Sequence, residues 1–263
     1  MDEEQKITES SNAEAWKDKS YDAWVLKYGP APAVAKRIRQ NPARTLGVLR
    51  EVLGDPQGRK MANLMGSHGM KAVAVACLGA QATVFDFSEG NRRYALELAE
   101  AAGVSLRYVL ADVVRLPQKE LTGDYDVVLA EMGILHYFSD LSPFMATVRE
   151  LLSPGGHFIL RDFHPVTTKL ISSKGSTAKV RKHKVDGDYF DTSLTQTPVS
   201  FAKYLQDDTA KPVLLRKWTL GEVVTAVAQA GLHVEMLLEE PNLSGEAFDK
   251  GIPKTFTLVA RKL

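Results

Sequence analysis

Residues 59–88 read RKMANLMGSHGMKAVAVACLGAQATVFDFS. The apolar run at 61–65 and the β-rich segment at 82–87 predict two strands. Between them, the almost wholly apolar segment at 71–78 predicts a helix that ends at a glycine. Further strands and helices alternate after this β-α-β unit. Such alternation is typical of an α/β protein with a mostly parallel sheet and helices on both faces.

Several glycine and acidic positions lie near the predicted carboxyl ends of the strands, where open α/β sheets bind ligands. Gly66 and Gly69 would let a ligand approach the backbone closely. Asp86 ends the second strand and could accept both hydroxyls of a ribose. After the third strand, Asp112 could accept from the amine of adenine, and the N–H of Val113 could donate to a ring nitrogen. Because complete phosphate-binding patterns are absent, the sequence predicts an adenosine ligand without phosphates, such as S-adenosyl-L-methionine.

Six short motifs follow one another along the chain. They lie at residues 63–69, 86–88, 111–113, 125–128, 133–137 and 152–156. In this order and spacing they resemble the motifs of class I S-adenosylmethionine-dependent methyltransferases of the small-molecule type. The resemblance covers about residues 59–165 and extends to the C-terminus. It implies a Rossmann-like methyltransferase fold, in which a seven-stranded, mostly parallel sheet has its last strand antiparallel and the cofactor lies across the carboxyl edge.

The resemblance also implies which residues bind the cofactor. Asn63 stands where the family usually has an acidic residue, and Met65 and Ser67 stand where it usually has glycines. An aromatic helix predicted at residues 12–28 resembles the N-terminal segment that closes over the cofactor. Residues 134–137 resemble the segment beneath the transferable methyl group. The predicted cofactor-binding residues are Tyr21, Asn63, Gly66, Ser67, Asp86, Phe87, Asp112, Val113 and Glu131.

Two histidines are candidate catalytic bases. His164 follows the fifth predicted strand, and His136 lies in the segment expected near the methyl group. A histidine with its ordinary pKa of about 6.5 can accept a proton at neutral pH. His164 could instead only fix the start of the following segment through a backbone hydrogen bond. The six histidines of the chain show no i, i+4 pair and no clustered ligands, so the sequence predicts no metal site.

The chain is predicted to be a single methyltransferase domain over residues 1–263. Its core comprises residues 59–165 and 218–263, and helices within residues 1–58 form an N-terminal cap. A polar segment rich in Ser, Thr and Lys at residues 166–217 interrupts the pattern and is either an inserted lid or a loop with short strands. The cap and this insertion would together enclose a substrate.

The charge balance and composition of the chain argue against nucleic acids and membranes as partners. The 33 basic and 32 acidic side chains leave a net charge of +1, so no global field attracts nucleic acid or an anionic membrane. No apolar run approaches the roughly 20 residues of a membrane-spanning helix. The single cysteine, Cys77, cannot form an internal disulfide, and the polar start lacks a secretory signal. A cytoplasmic location is therefore expected, and nothing in the sequence indicates the oligomeric state.

These observations favour an enzyme that transfers a methyl group from S-adenosyl-L-methionine to a nitrogen or oxygen of a small molecule, with S-adenosyl-L-homocysteine as product. An RNA or protein methyltransferase that uses the basic run at residues 179–184 is the main alternative. A dinucleotide-dependent oxidoreductase is less favoured, because Met65 and Ser67 disfavour pyrophosphate contacts. A non-catalytic S-adenosylmethionine-binding protein is the remaining alternative.

Overall fold

A central sheet organises the computed structural model, which describes residues 19–174, 182–205, 212–241 and 251–263. The strands in these ranges are β1 (Lys60–Leu64), β2 (Gln81–Asp86), β3 (Arg107–Leu110), β4 (Tyr125–Glu131), β5 (Leu152–Phe163), β6 (Ile171–Lys174), β7 (Lys182–Val185), β8 (Leu194–Pro198), β9 (Pro212–Arg216), β10 (Leu232–Pro241) and β11 (Pro253–Lys262). Seven of them form the sheet in the order β10, β11, β5, β4, β1, β2, β3. Strands β1 to β5 pair in parallel, and β11 is antiparallel to both of its neighbours. The predicted fold class is confirmed.

Helices cover both faces of the sheet. They are α1 (Ser20–Tyr28), α2 (Ala31–Gln40), α3 (Pro42–Leu46), α4 (Leu49–Leu53), α5 (Met70–Cys77), α6 (Glu89–Ala102), α7 (Ser142–Leu151), α8 (Ala202–Leu205) and α9 (Leu220–Gln229), with 3₁₀ turns at Gln118–Glu120 and Leu135–Tyr137 and a π-helical turn at Val166–Leu170. Successive strand residues point to opposite faces. In β4, Val127 and Leu129 join a core with α1 to α6, whereas Val128 and Ala130 join a second core with α7 and α9. The carboxyl edge between the two cores remains available for a site.

The N-terminal cap differs in detail from its prediction. Helix α1 is the described part of the aromatic helix, and residues 1–18, with Trp16, lie outside the described residues. Where the sequence pattern predicts one further helical stretch to about residue 52, three short helices, α2, α3 and α4, follow α1. Asn41 follows α2 and caps the start of α3, where its side chain accepts a hydrogen bond from the N–H of Arg44, and Gly47 ends α3 with a positive φ of 58°. These short helices pack against α5 and α6, so the cap is continuous with the core.

The insertion after β5 forms two small hairpins, in which β6 pairs with β7 and β8 pairs with β9. Val199, Phe201 and Val213 are buried in the same core as α1. Short strands are therefore present, and part of the insertion is packed onto the body of the protein. The basic run at 179–184 falls mostly outside the described side chains. Within the described ranges, no helix combines the length and apolar character needed to cross a membrane.

Candidate functional site

A cavity of about 560 Å³ opens at the carboxyl ends of β1, β2 and β4. Its volume falls within the range of roughly 300–1,000 Å³ that is typical of small-molecule sites. Loops after these strands line it together with α1 and the insertion. The lining includes Trp24, Lys27, Tyr28, Asn63, Met65, Gly66, Ser67, His68, Lys71, Asp86, Phe87, Asn91, Glu131, Met132, Gly133, His136, Phe163, Ser200, Lys203, Tyr204 and Leu215. Of the predicted residues it brings together Asn63, Gly66, Ser67, Asp86, Phe87, Glu131 and His136.

The loop after β1 has an unusual backbone. A Cβ atom at Gly66 would lie 2.7 Å from Asn63 Oδ1 and 2.9 Å from Val84, so only glycine fits. Met65 and Ser67 both have a positive φ of 48°, and Met132 in the loop after β4 has a φ of 62°. Such a backbone costs a non-glycine residue on the order of 1–3 kcal/mol and tends to occur at functional sites. Here it occurs at three residues that line one cavity, which supports a functional role for the cavity.

Asp86 joins the end of β2 to the loop after β1. Its Oδ2 accepts from the N–H of Ser67 at 3.1 Å, and its Oδ1 accepts from the N–H of Ser88 at 2.9 Å and from Asn91 Nδ2 at 3.3 Å. Burial raises the pKa of this carboxyl group, while these three hydrogen bonds oppose the shift. A carboxylate offers about four acceptor positions. About one position therefore remains for a ligand hydroxyl, fewer than the two that the sequence interpretation assumed.

Asp112 and Val113 do not reach the wall of the cavity. Asp112 Oδ1 accepts from the N–H of Val114 at 3.1 Å, and the side chain of Val113 is buried in the second core. Phe87, next to Asp86, does line the cavity. The assignment of Asp112 and Val113 to an adenine ring thus stays a prediction.

Asn63 and Glu131 are held at the ends of adjacent strands. Asn63 Nδ2 donates to the carbonyl oxygen of Leu129 at 3.4 Å, which ties β1 to β4. Glu131 Oε1 lies 3.7 Å from Lys71 Nζ, and the same ammonium group donates to the carbonyl oxygens of Thr45 at 2.6 Å and Leu46 at 3.1 Å. Burial raises the pKa of Glu131 and lowers that of Lys71. The pair places one carboxylate and one ammonium group side by side on the wall.

Helix α1 contributes Trp24 and Tyr28 to the cavity rather than Tyr21. The indole Nε1 of Trp24 donates to Asn91 Oδ1 at 2.7 Å, and both aromatic rings meet His68 edge-on at 5.0 Å between ring centroids. Tyr21 instead donates to Glu97 Oε2 at 2.6 Å, over α6. Tyr21 falls outside the lining, because the helical period identifies the inner face of a helix but not the point along its axis that meets the cavity, and its assignment to the cofactor stays a prediction.

His68 is an uncharged group at the base of this aromatic wall. Burial, assisted by the nearby charges of Lys27 and Lys71, lowers the pKa of His68 to about 3. Its Nδ1 accepts from the N–H of Met70 at 3.4 Å. The imidazole is therefore neutral at physiological pH and adds no charge to the cavity.

The two candidate bases have different surroundings. His136 lines the cavity, its Nδ1 lies 3.3 Å from the carbonyl oxygen of Arg216, and its ring stacks on Phe163. Donation from Nδ1 to that carbonyl leaves the lone pair on Nε2. His164 lies outside the lining: its Nδ1 accepts from Val166 N–H at 3.1 Å, and its Nε2 is 2.6 Å from Glu239 Oε1. Both ring nitrogens of His164 are engaged in these contacts, which favours the structural alternative, and its catalytic role stays a prediction.

Two supporting residues are missed by sequence reasoning. Asn91 links Trp24 to Asp86, and Asp162 accepts from the N–H groups of Gly133 at 2.6 Å and Leu135 at 3.3 Å, which holds the loop after β4. The only signal for Asn91 is its place in the first turn of the helix that follows Asp86. Asp162 lies near the carboxyl end of β5, where a polar residue is expected to face the ligand edge. Among the described residues, no group of three or more acidic, histidine or cysteine side chains is arranged to hold a metal ion.

Comparisons with known proteins agree with this architecture. Residues 65–160 match the model of a methyltransferase domain. A ubiquinone biosynthesis O-methyltransferase of Bordetella avium is 29% identical over 116 residues, which are 44% of this chain and 47% of the relative, so the match spans about half of that protein.

Solved structures share the fold over a longer range. An S-adenosylmethionine-dependent methyltransferase from Mesorhizobium loti has a TM-score of 0.60 at 24% identity, covering 81% of this chain and 95% of the other. A magnesium protoporphyrin IX methyltransferase from Synechocystis PCC 6803 with bound S-adenosylhomocysteine has a TM-score of 0.58 at 13% identity, covering 97% and 100% of the two chains. The Rossmann-like fold and the methyltransferase domain predicted from the motif order are confirmed.

Proposed function

We propose that this chain, which is a class I S-adenosylmethionine-dependent methyltransferase by its domain and fold, transfers a methyl group from S-adenosyl-L-methionine to a nitrogen or oxygen of a small molecule. The observation that carries the proposal is the cavity at the carboxyl edge. It joins the glycine turn after β1 and the carboxylate at the end of β2 to walls formed by α1 and the insertion.

The residues of this cavity fit an adenosine cofactor without phosphates. Gly66 leaves backbone exposed where any side chain would collide with Asn63. Asp86 retains acceptor capacity for a ribose hydroxyl, and the buried hydroxyl of Ser67 has no hydrogen-bond partner among the described residues. Glu131 supplies a carboxylate that suits a cationic ligand. We assign cofactor binding to these residues.

Bound S-adenosyl-L-methionine supplies an electrophilic methyl group on a sulfonium, which an acceptor atom attacks in line. The contribution of the chain is to hold the acceptor in that line about 3 Å from the methyl carbon and to exclude water. Trp24 and Tyr28 from α1 and Tyr204 from the insertion provide apolar walls for this purpose. A substrate enclosed between these walls is a small molecule.

His136 is the proposed base for a hydroxyl acceptor. The ring lines the cavity, and because Nδ1 donates to the carbonyl oxygen of Arg216, the lone pair on Nε2 can accept a proton. Nε2 would take the hydroxyl proton of the acceptor when the acceptor oxygen is methylated. A neutral amine needs no base for the attack and releases its proton afterwards.

The similarity to the O-methyltransferase from Bordetella avium supports an oxygen acceptor. The lone Cys77 supports a reducing compartment such as the cytoplasm.

Calorimetry with S-adenosyl-L-homocysteine and the Asp86→Ala variant tests the cofactor assignment. The loss of a charged hydrogen bond is expected to weaken binding by about 1–3 kcal/mol, or roughly 5- to 150-fold. Asp22→Ala, on the exposed side of α1, is the matched control and keeps the affinity of the wild type. Asp112→Ala in the same series tests the predicted adenine contact.

Methyl transfer itself is tested by incubating the protein with S-adenosyl-L-methionine and a panel of phenols and amines. Mass spectrometry is expected to find an acceptor that gains one methyl group together with S-adenosyl-L-homocysteine. The proposal fails if S-adenosyl-L-homocysteine gives no heat while a phosphorylated nucleotide such as NADH saturates the cavity.

A further inference from the structure

Some charged side chains of the cavity have a partner of opposite charge or hydrogen-bond donors, and others do not. Lys71 lies beside Glu131, and Asp86 accepts three hydrogen bonds from neighbouring groups. Lys27 and Lys203 also line the cavity, and neither has a carboxylate within ion-pair distance in the described part of the chain. The outer part of the cavity therefore carries two positive charges that no described protein group balances.

Aromatic rings hold these two lysines. Lys27 Nζ lies 4.5 Å from the ring centroid of Tyr28, 4.5 Å from that of Tyr204 and 5.6 Å from that of Trp24. Lys203 Nζ lies 5.1 Å from the same Tyr204 ring. The rings fix the direction of the ammonium groups without neutralising them.

The charge on Lys27 persists at neutral pH. Burial acts to lower the pKa of Lys27, but hydrogen bonds with Tyr204 and Tyr28 outweigh it and raise the pKa above its ordinary value. The neighbouring His68 is neutral because burial lowers its pKa. Around these two lysines, the described residues thus present aromatic rings and a neutral imidazole.

We propose that Lys27 and Lys203 bind a carboxylate on the methyl acceptor, and that the acceptor is an aromatic acid whose ring packs against Tyr28 and Tyr204. This inference rests on the proposed function and assigns a substrate class to the same cavity. Both lysines lie outside residues 65–160, the part of the chain that matches the methyltransferase domain. They come from α1 and α8, the two elements that close the cavity from outside. The amino-acid part of the cofactor is a second possible source of a carboxylate for these lysines.

A matched pair of probes tests the acceptor carboxylate. The affinities of 4-hydroxybenzoate and of the neutral 4-hydroxybenzamide are measured by ligand-observed NMR with protein saturated with S-adenosyl-L-homocysteine. We expect the carboxylate to bind about tenfold more tightly, as one charge-assisted hydrogen bond provides. The preference is expected to disappear in Lys27→Met and Lys203→Met and to remain in Lys27→Arg and in the control Lys36→Met, an exposed residue on α2. Equal affinities for the two probes in the wild type overturn the proposal.

A second arm separates the two sources of a carboxylate. S-adenosyl-L-homocysteine and 5′-methylthioadenosine, which lacks the amino-acid group, are titrated into the wild type and the lysine variants. We expect both affinities to change less than twofold. A loss of tenfold or more for S-adenosyl-L-homocysteine alone would assign the lysines to the cofactor and overturn the acceptor site. Failure of the wild type to bind S-adenosyl-L-homocysteine at all would instead contradict the proposed function, so the two failures are distinguishable.

Discussion

Ser67 combines a left-handed backbone with a buried hydroxyl that has no hydrogen-bond partner among the described residues. Glycine would adopt the same φ without steric cost, so the side chain is retained at a conformational disadvantage. Its N–H donates to Asp86 and its carbonyl accepts from the hydroxyl of Tyr108. The backbone of Ser67 is therefore held firmly, and its hydroxyl is available to a ligand.

Replacing Ser67 with glycine is expected to separate stability from binding. The variant removes a positive-φ penalty of about 1–2 kcal/mol, partly offset by the greater entropy of the unfolded chain, so Tm should rise by about 2 °C. Affinity for S-adenosyl-L-homocysteine should fall about three- to tenfold because one hydrogen bond is lost. Ser67→Ala should show the same loss of affinity without the gain in Tm. Unchanged affinity in both variants would contradict a ligand contact by this hydroxyl.

The low pKa of His68 predicts how the stability of the protein depends on pH. Its pKa is about 3 in the folded protein and 6.5 in the unfolded chain, so below pH 6.5 only the unfolded chain takes up a proton there. The neutral His68 side chain therefore makes its full contribution to the free energy of unfolding above pH 6.5, and this contribution is lost as the pH falls towards 3. By pH 5 the loss should be about 2 kcal/mol of the free energy of unfolding.

Urea unfolding at pH 7 and pH 5 measures this loss. Between pH 7 and pH 5, the free energy of unfolding of His68→Gln should fall by about 2 kcal/mol less than that of the wild type. His233→Gln, at an exposed position on β10, is the control and should match the wild type. An identical pH dependence for His68→Gln and the wild type would show that His68 is not buried in its neutral form.

Among the elements, α1 has the clearest link to the site. The Trp24 indole donates to Asn91, and Asn91 in turn donates to Asp86, so a side chain of the cap reaches the carboxylate at the end of β2 through one residue. Tyr21 lies on the same helix, and its hydroxyl donates to Glu97 on α6. A change at Trp24 thus tests the link between α1 and the site, whereas a change at Tyr21 tests only the packing of α1 on α6.

Trp24→Phe and Tyr21→Phe form a matched pair of variants. Trp24→Phe leaves Asn91 Oδ1 without its donor, which should lower the free energy of unfolding by about 1–3 kcal/mol and weaken binding of S-adenosyl-L-homocysteine. Tyr21→Phe removes a partly exposed hydrogen bond and should leave this affinity unchanged. Calorimetry and urea unfolding measure both effects. A larger loss of affinity in Tyr21→Phe would instead support the predicted assignment of Tyr21 to the cofactor.

Strand β9 ties the insertion to the loop after β4 and to the start of α9. Arg216 Nη1 donates to the carbonyl oxygen of Ser139 at 2.6 Å, Nη2 donates to Glu222 Oε1 at 2.8 Å, and the guanidinium lies 3.6 Å from the ring centroid of Trp218. The Arg216 carbonyl oxygen also meets His136. One arginine therefore fixes the strand that faces the candidate base, and it links the insertion to the loop after β4.

At the scale of the whole molecule, the cap and the insertion meet across the opening of the cavity. Lys27 on α1 is held between Tyr28 of the same helix and Tyr204 of the insertion. Because these contacts are partly exposed and the walls belong to separate elements, we expect the two segments to become ordered together when ligands bind.

Limited proteolysis with and without ligands tests this closure. S-adenosyl-L-homocysteine together with 4-hydroxybenzoate should slow cleavage within residues 166–217. At 100 times its Kd, a ligand should raise the free energy of unfolding by about 2.7 kcal/mol. Adenosine monophosphate at the same concentration serves as the control. Equal cleavage in all conditions would contradict closure of the cap and the insertion.

The sequence by itself determines the fold and the location of the site. Alternating apolar segments specify the strands and helices, because burial on both faces of a parallel sheet requires such segments, and the order of the motifs places the ligand edge. Asn63, Gly66 and Asp86 follow from this local order alone, because each lies at the end of a strand or in the turn after it.

Only the tertiary structure decides which residues from outside that order complete the cavity. Trp24, rather than Tyr21, reaches it because α1 docks at one particular point along its axis, and His164 is withdrawn because Glu239 on β10 binds its ring. Lys27 and Lys203 are 176 residues apart in the chain and meet at one tyrosine. Contacts between segments so far apart depend on packing geometry, which local periodicity does not encode.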